Sequence, residues 1–343
     1  METVKLTSFS HGAGCGCKIA PSVLETILST NFNNSIDPNL LVGNSTNDDA
    51  AVYDLGNGEA IITTTDFFMP IVDDAFDFGK IASVNAISDV YAMGGKPLVA
   101  IAILGWPVDK IPPEIASLVL DGARSACKEA GIQLAGGHSI DSAEPIFGLA
   151  VTGKVSTKHL KRNSSMKEGS TLYLTKPLGV GIITTAQKKG IVSTEDIQLA
   201  TSSMATLNKI GELFGELDYV NAMTDVTGFG LLGHLIEMCE GGGVSAEIEK
   251  NKVPLLPNIQ SYIDQEAIPG GTRRNWKSYG HLVDGVQEND WAILADPQTS
   301  GGLLVSVDSG NETEFENVCL DAGLKLKPIG TITKSRKPIV LVQ

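Results

Sequence analysis

The chain is short of positive charge, of aromatic side chains and of long apolar runs. Lysine and arginine number 26 against 40 aspartates and glutamates, a net charge of −14. Such a surface repels polyanions, which argues against nucleic-acid partners and against an anionic membrane. No apolar stretch approaches the roughly 18 residues of a membrane-spanning helix. The first residues lack the basic start, apolar block and small-residue cleavage site of a secretory signal, so a cytoplasmic protein is expected. Cysteine is scarce too. There are five, an odd number, and Cys127, Cys239 and Cys319 stand singly in apolar or helical context. That excludes a disulfide framework and reads as core thiols in a reducing compartment.

Glycine is not scarce, and its clusters mark the chemistry. One near the start is His11-Gly12-Ala13-Gly14-Cys15-Gly16-Cys17-Lys18. Three glycines in six residues let the backbone turn freely and approach a ligand, at a cost in ordering entropy, so a segment that is mobile until ligand arrives is expected. Two thiols one residue apart, followed by a fixed positive charge, predict a lowered thiol pKa and a reactive thiolate. The alternative is a tail with incidental cysteines.

At 343 residues the length predicts two domains. Pro21 to Ser29 reads as a short helix. Ala51–Leu55 and Ala60–Thr65 flank Gly56-Asn57-Gly58, a hairpin signal that brings Asp48, Asp49 and Asp66 to one end. Phe78 to Met93 has helical spacing and sets Asn85 and Asp89 four apart on one face, either as ligands or as a solvated pair. Strands are predicted over 98–104, 132–135 and 145–155, with a helix over 113–130. The strand at 132–135 runs into Gly136-Gly137-His138-Ser139, a candidate backbone cradle for phosphate or base. A polar stretch over 156–170 reads as a linker. Beyond it, strands and helices restart, and Thr224-Asp225-Val226-Thr227-Gly228 forms a turn at a helix start. Residues 269–275 read as a basic surface loop and Trp291–Ala295 as a strand. The Asp296–Gly302 loop follows it, and 303–307 as a further strand. An acidic cleft that holds phosphates requires divalent cations. Two α+β domains fit best.

With these elements in place, the sequence resembles the selenophosphate synthetase (selenide, water dikinase) family, within the aminoimidazole ribonucleotide synthetase-like superfamily. The resemblance covers the chain through HGAGCGCK at 11–18, NDDAAVYDLG at 47–56, TTTDFFMP at 63–70, NAISDVYAMGGKP at 85–97, AGGHSID at 135–141, MTDVTGFGLLGHL at 223–235 and DPQTSGGLL at 296–304. It implies a mobile catalytic segment and connection over 1–47, an ATP- and metal-binding domain over 48–156 and a C-terminal α+β domain over 170–343. The N-terminal domains of two copies would pair strands in a homodimer.

The resemblance further implies conversion of ATP, selenide and water to selenophosphate, AMP and orthophosphate, for selenoprotein and seleno-tRNA biosynthesis. Cys15 matches the catalytic position and Lys18 the lysine that contacts phosphates. Asp49, Asp89 and Asp225 match magnesium ligands. Lys18, Thr46, Asn47, Asp48, Asp66, Asp89, Gly137, His138 and Ser139 match nucleotide-binding positions, with Asn85 and Cys17 as further active-site residues. A monovalent cation and a selenium-delivery protein stay open. The rivals are another ATP-dependent superfamily member, set apart by the Cys-Gly-Cys-Lys opening, and a thiol metal carrier, for which two cysteines fall short of four zinc ligands.

Overall fold

The computed structural model describes residues 4–19, 21–28, 37–43, 48–287 and 289–343. Two 3-10 turns, Leu6–Phe9 and Gly14–Cys17, precede helix α1 (Pro21–Leu28). The first half continues with β1 (Leu40–Val42), β2 (Ala51–Asp54), β3 (Glu59–Phe68), α2 (Ala75–Ala92), β4 (Lys96–Trp106), α3 (Pro113–Ala130), β5 (Gln133–Asp141) and β6 (Ile146–Ser156). Its strands form one sheet in the order β1-β2-β3-β6-β4-β5.

The predicted hairpin is present, with Ala51 opposite Thr63 and both turn glycines at positive φ. Alternation along β3 buries Ala60, Ile62 and Phe68 beneath α2 and turns Thr64 and Asp66 the same way, towards that helix. Helix α2 starts at Asp74, whose side chain accepts the Asp77 N–H, and is apolar almost all round. Asn85 and Asp89 are therefore buried with it, and the solvated-face alternative fails.

The second half holds β7 (Thr171–Leu174), α4 (Val180–Lys188), α5 (Thr194–Met204), α6 (Ile210–Glu216), β8 (Val220–Asp225), α7 (Gly230–Gly242), β9 (Val244–Ile248), α8 (Ile259–Asp264), α9 (Gly270–Tyr279), β10 (Val283–Asp284), α10 (Asp290–Leu294), β11 (Leu303–Val307), α11 (Glu312–Asp321), β12 (Pro328–Lys334) and β13 (Val340–Val342). Its sheet runs β10-β13-β9-β12-β7-β11-β8. Helix α2 also packs against β8, α5 and α6, so it is the element shared by the two halves.

Three expectations are corrected. The stretch 269–275 opens helix α9 rather than forming a surface loop. Its buried face, Thr272, Asn275 and Tyr279, has helical spacing but is largely polar, so apolar periodicity does not reveal it. Residues 290–294 are helical, not a strand; a run of so few apolar residues does not separate the two by composition. Strand β5 continues through Gly136 and Gly137 to Asp141, with a bulge where Leu134 and Gly137 pair with Ala100 and Ala102. The glycines permit that bulge and no loop forms; a Cβ on Gly137 would lie 2.2 Å from the Ala102 carbonyl oxygen.

Candidate active site between the two halves

Asn85 is the meeting point. Fully buried on α2, it donates through Nδ2 to Asp66 Oδ2 at 2.5 Å. Its Oδ1 accepts from Cys15 Sγ at 3.2 Å and from the Ser300 N–H at 2.8 Å. The Cys15 N–H in turn donates to Thr299 Oγ1 at 3.1 Å. One amide thus binds the glycine-rich segment, the first sheet and the 296–302 loop of the second half. Ser300 adopts φ +51, a left-handed conformation that a non-glycine residue takes at a cost, held here by its bond to Asn85.

Cys15 is 2% exposed. The expectation of a lowered thiol pKa is corrected. Burial pushes the thiol well above its ordinary value and outweighs the pull of Lys18, with Asp66 and Asp225 adding in the same upward direction. The Lys18 side chain is exposed towards the cleft, with Nζ 5.8 Å from the Phe229 ring centroid. Desolvation opposes its charge, but attraction from Asp66, Cys15, Asp89 and Asp225 prevails and holds the ammonium protonated.

The carboxylates converge as the hairpin implied. Burial pushes Asp49 and Asp89 well above the carboxylate range, and repulsion among Asp49, Asp66, Asp89 and Asp225 adds to it. Burial also raises Asp225, against a hydrogen bond from Ser88, and lifts Asp48 to about 6. Thr224 Oγ1 donates to Asp49 at 2.7 Å, Thr64 donates to Asp89, and the Asn163 N–H donates to Asp48 at 3.1 Å. One oxygen each of Asp48, Asp49 and Asp225 is buried without a hydrogen-bond partner among the described residues. Oxygens crowded together and unpaired are the donor set a hard divalent cation takes. Among the described residues, no three such side chains close a metal cage by themselves. The fit is therefore to ions that also bind phosphate oxygens or water.

The segment 11–18 is docked rather than loose. The Gly14 N–H donates to the Met69 carbonyl at 3.0 Å, Arg274 Nη2 to the Gly16 carbonyl at 3.0 Å and Lys188 Nζ to the Gly12 carbonyl at 3.4 Å. His11 Nδ1 lies 2.9 Å from Glu144. Gly14 has φ +49, and a Cβ there would meet Thr299 Oγ1 at 2.3 Å, so this position requires glycine. Beside the segment opens a cavity of about 330 Å³ lined by His11, Gly16, Lys188, Gly271, Arg274 and Thr299 among others.

The expected residues do not all meet. Thr46, Asn47 and the Cys17 side chain lie outside the described residues. Gly137, His138 and Ser139 are on exposed β5, three strands from β3 in the sheet order, roughly 14 Å from Asp66's strand at strand spacing. Thr299, Ser300 and Lys176 were missed as individuals; the glycine-bounded loop at 296–302 was the signal for the first two, and nothing in the sequence marks Lys176. Lys176 is buried, its Nζ donating to the carbonyls of Thr206 at 2.6 Å and Ser300 at 2.9 Å.

Two α/β halves with a carboxylate-lined site between them define a class. Residues 47–155 match AIR synthase related protein, N-terminal domain, and residues 167–343 match AIR synthase related protein, C-terminal domain. The fold is shared with thiamine-monophosphate kinase from Stenotrophomonas maltophilia, at TM-score 0.66 and 18% identity over 89% of this chain and 92% of that one. It is shared too with a chain of the HypE-HypF complex, at TM-score 0.69 and 18% identity over 94% and 96%. Relatives named selenide, water dikinase are much nearer in sequence. The one from Aeromonas hydrophila is 60% identical over 97% of this chain and 96% of its own length; that from Colwellia psychrerythraea is 58% identical over 99% of each. The chain belongs to the selenide, water dikinase family.

Proposed function

We propose that the chain makes selenophosphate from selenide and ATP, releasing AMP and orthophosphate, and that Cys15, Lys18, Asn85 and the carboxylates above are its active site. The observation that carries this reading is the junction of Cys15, Asn85 and Asp66 beside unpaired carboxylate oxygens from both halves. Family membership supplies the substrates, and relatives named selenide, water dikinase match over nearly the whole length of both chains.

Both chemical steps are phosphoryl transfers, which need positioning and charge neutralisation more than covalent chemistry. Asp49, Asp89 and Asp225 would hold magnesium, which neutralises phosphate charge when bound. Lys18, held as a cation by Asp66, Asp89 and Asp225, attracts the transferred phosphoryl group. Asp66 and Asp48 line the nucleotide side, with Thr46 and Asn47 assigned there by the family resemblance alone. Asn85 holds the Cys15 sulfur at the cleft, where hydroselenide would attack the γ-phosphorus as the bond from that phosphorus to the ADP oxygen breaks. We place the catalytic segment and connection at 1–47, the ATP domain at 48–156, the second domain at 170–343, and the protein in the cytoplasm. No described helix is long and apolar enough to cross a membrane.

A homodimer completes this reading. The first sheet is covered on one face by α2, while Phe67 (53% exposed), Ile101 (48%) and Tyr53 (42%) stand on the other. An uncovered apolar sheet face of this kind suits a second copy. The distance of His138 from Asp66 fits a role for Gly137, His138 and Ser139 in the partner's nucleotide site.

The test is phosphorus NMR of the purified protein with ATP, magnesium and selenide. Selenophosphate and AMP should appear together, and a chelator should stop both. ATP turnover independent of selenide would overturn the reading.

A further inference from the structure

The reaction just proposed, on which this inference rests, contains one step whose nucleophile arrives uncharged. Hydroselenide is an anion at neutral pH and needs no base. Water, which must cleave the remaining ADP, has a pKa of about 15.7 and must lose a proton as it attacks. The carboxylates of the site are poor acceptors if cations hold them.

A different group has the required arrangement. Of the five histidines only His234 is buried, on α7. Its Nδ1 lies 3.2 Å from Glu237 Oε2, one turn along the same helix, and its Nε2 lies 3.3 Å from Thr227 Oγ1. A carboxylate at Nδ1 fixes the N–H there and leaves Nε2 bare, so the Thr227 hydroxyl donates to it. The hydroxyl has no other partner among the described residues. Hydroxyl, imidazole and carboxylate are thus in series, the geometry that activates an oxygen nucleophile in hydrolases.

This series lies against the phosphate-binding elements. Thr227 stands two residues beyond Asp225. At the next residue, Gly228, a Cβ would fall 2.7 Å from the Cys15 carbonyl and 3.1 Å from Lys18 Cδ. Phe229 neighbours both Lys18 and His234, its ring centroid 5.8 Å from Lys18 Nζ and 5.6 Å from the imidazole. The loop is rigid: the Thr227 carbonyl accepts from the N–H groups of Gly230 and Gln298, at 3.0 and 2.9 Å, and the Gly228 carbonyl from Asn275 at 2.8 Å. A buried histidine satisfied by two partners needs no function. Here the hydroxyl that His234 engages belongs to the loop that runs from a metal-ligand candidate, Asp225, to Gly228 on the Lys18 stem.

We infer that Thr227 is a catalytic residue for ADP hydrolysis and that His234 and Glu237 position and activate it. The water oxygen bonds to the β-phosphorus while the bond from that phosphorus to the bridging oxygen breaks. AMP leaves with the bridging oxygen. The water proton passes to Thr227 Oγ1 as the Thr227 proton moves to His234 Nε2, and the imidazolium is balanced by Glu237 until it loses the proton to solvent.

The experiment follows ATP, ADP, AMP and selenophosphate by phosphorus NMR in the full chain, wild type beside Thr227→Val, Thr227→Ser, His234→Gln and Glu237→Gln, with melting temperatures. Thr227→Val and His234→Gln should still form selenophosphate but accumulate ADP, with AMP appearing at least tenfold more slowly. Thr227→Ser should make AMP nearly as wild type does. Glu237→Gln, at a partly exposed position that tolerates the change, should slow AMP severalfold, and carries the test if a buried variant does not fold. AMP and selenophosphate in wild-type proportion from Thr227→Val, His234→Gln and Glu237→Gln, or loss of both steps together, would overturn the inference. A wild type that forms no selenophosphate would instead sink the proposed activity.

Discussion

At Cys15 two opposed effects meet, a lysine three residues away that favours thiolate and a dry interior that favours thiol, and burial wins. The sulfur therefore waits as a thiol hydrogen-bonded to Asn85, in a negative field that cations in the carboxylate cluster would relieve. We predict that Cys15→Ser abolishes selenide-dependent AMP formation with ATP binding intact, because a hydroxyl, far less acidic and less polarisable than a thiol, cannot replace sulfur in handling hydroselenide. Cys17→Ser should keep substantial activity. Assaying both beside equilibrium ATP binding decides it, and an active Cys15→Ser with a dead Cys17→Ser would reverse the roles. Lys176 makes a second residue-scale prediction. Burial lowers its ammonium from 10.5 to about 7, against the pull of Asp225. Between about 7 and 10 the unfolded chain therefore binds a proton that the folded chain does not. Raising the pH through that window removes the penalty, so this group adds stability as pH rises, by at most about 1.4 kcal/mol per pH unit. The change in melting temperature from pH 7 to pH 9 should be less favourable in Lys176→Met than in wild type. An identical pH dependence in the two would show that Lys176 stays charged.

Two elements carry the site. Helix α2 supplies Asn85 and Asp89 because i and i+4 share a face, and it is buried on nearly every side because both halves pack on it. The glycine-rich segment supplies Cys15 and Lys18 and is held by a few hydrogen bonds to each half, which ligand can add to. Hydrogen exchange over 11–18 should slow when ATP and magnesium bind. Gly14→Ala should oppose this, since it places a Cβ against Thr299 Oγ1 and forces φ +49 on a residue with a side chain. At about 1–2 kcal/mol for the left-handed conformation alone, exchange should quicken and turnover fall roughly 5- to 30-fold. Unchanged exchange in wild type at saturating nucleotide would remove the segment from the catalytic cycle.

For the whole molecule, the two sheets are joined through α2 and the 296–302 loop, and among the described residues the outer face of the first sheet leaves Phe67, Ile101 and Tyr53 exposed. We predict that Phe67→Glu shifts the protein towards monomer in sedimentation velocity and lowers ATP turnover through the lost partner contacts. A Phe67→Glu protein with wild-type mass and activity would place the interface elsewhere.

The sequence by itself determined the hairpin at 51–68, helix α2, helix α3 and the residue types of the site, because Gly-Asn-Gly turns, apolar periodicity and proline-to-glycine helix limits are local signals. Its motifs also fixed the family. Only the tertiary structure decided that the Cys15 thiol is protonated, since desolvation depends on what packs over the sulfur. It alone brought Ser300 to Asn85, 215 positions apart, and aligned Thr227, His234 and Glu237 beside Lys18. It alone drew 290–294 into a helix and carried Gly137 into an edge strand. Short apolar runs and paired glycines allow more than one local structure, and the neighbours that choose between them are distant in the chain.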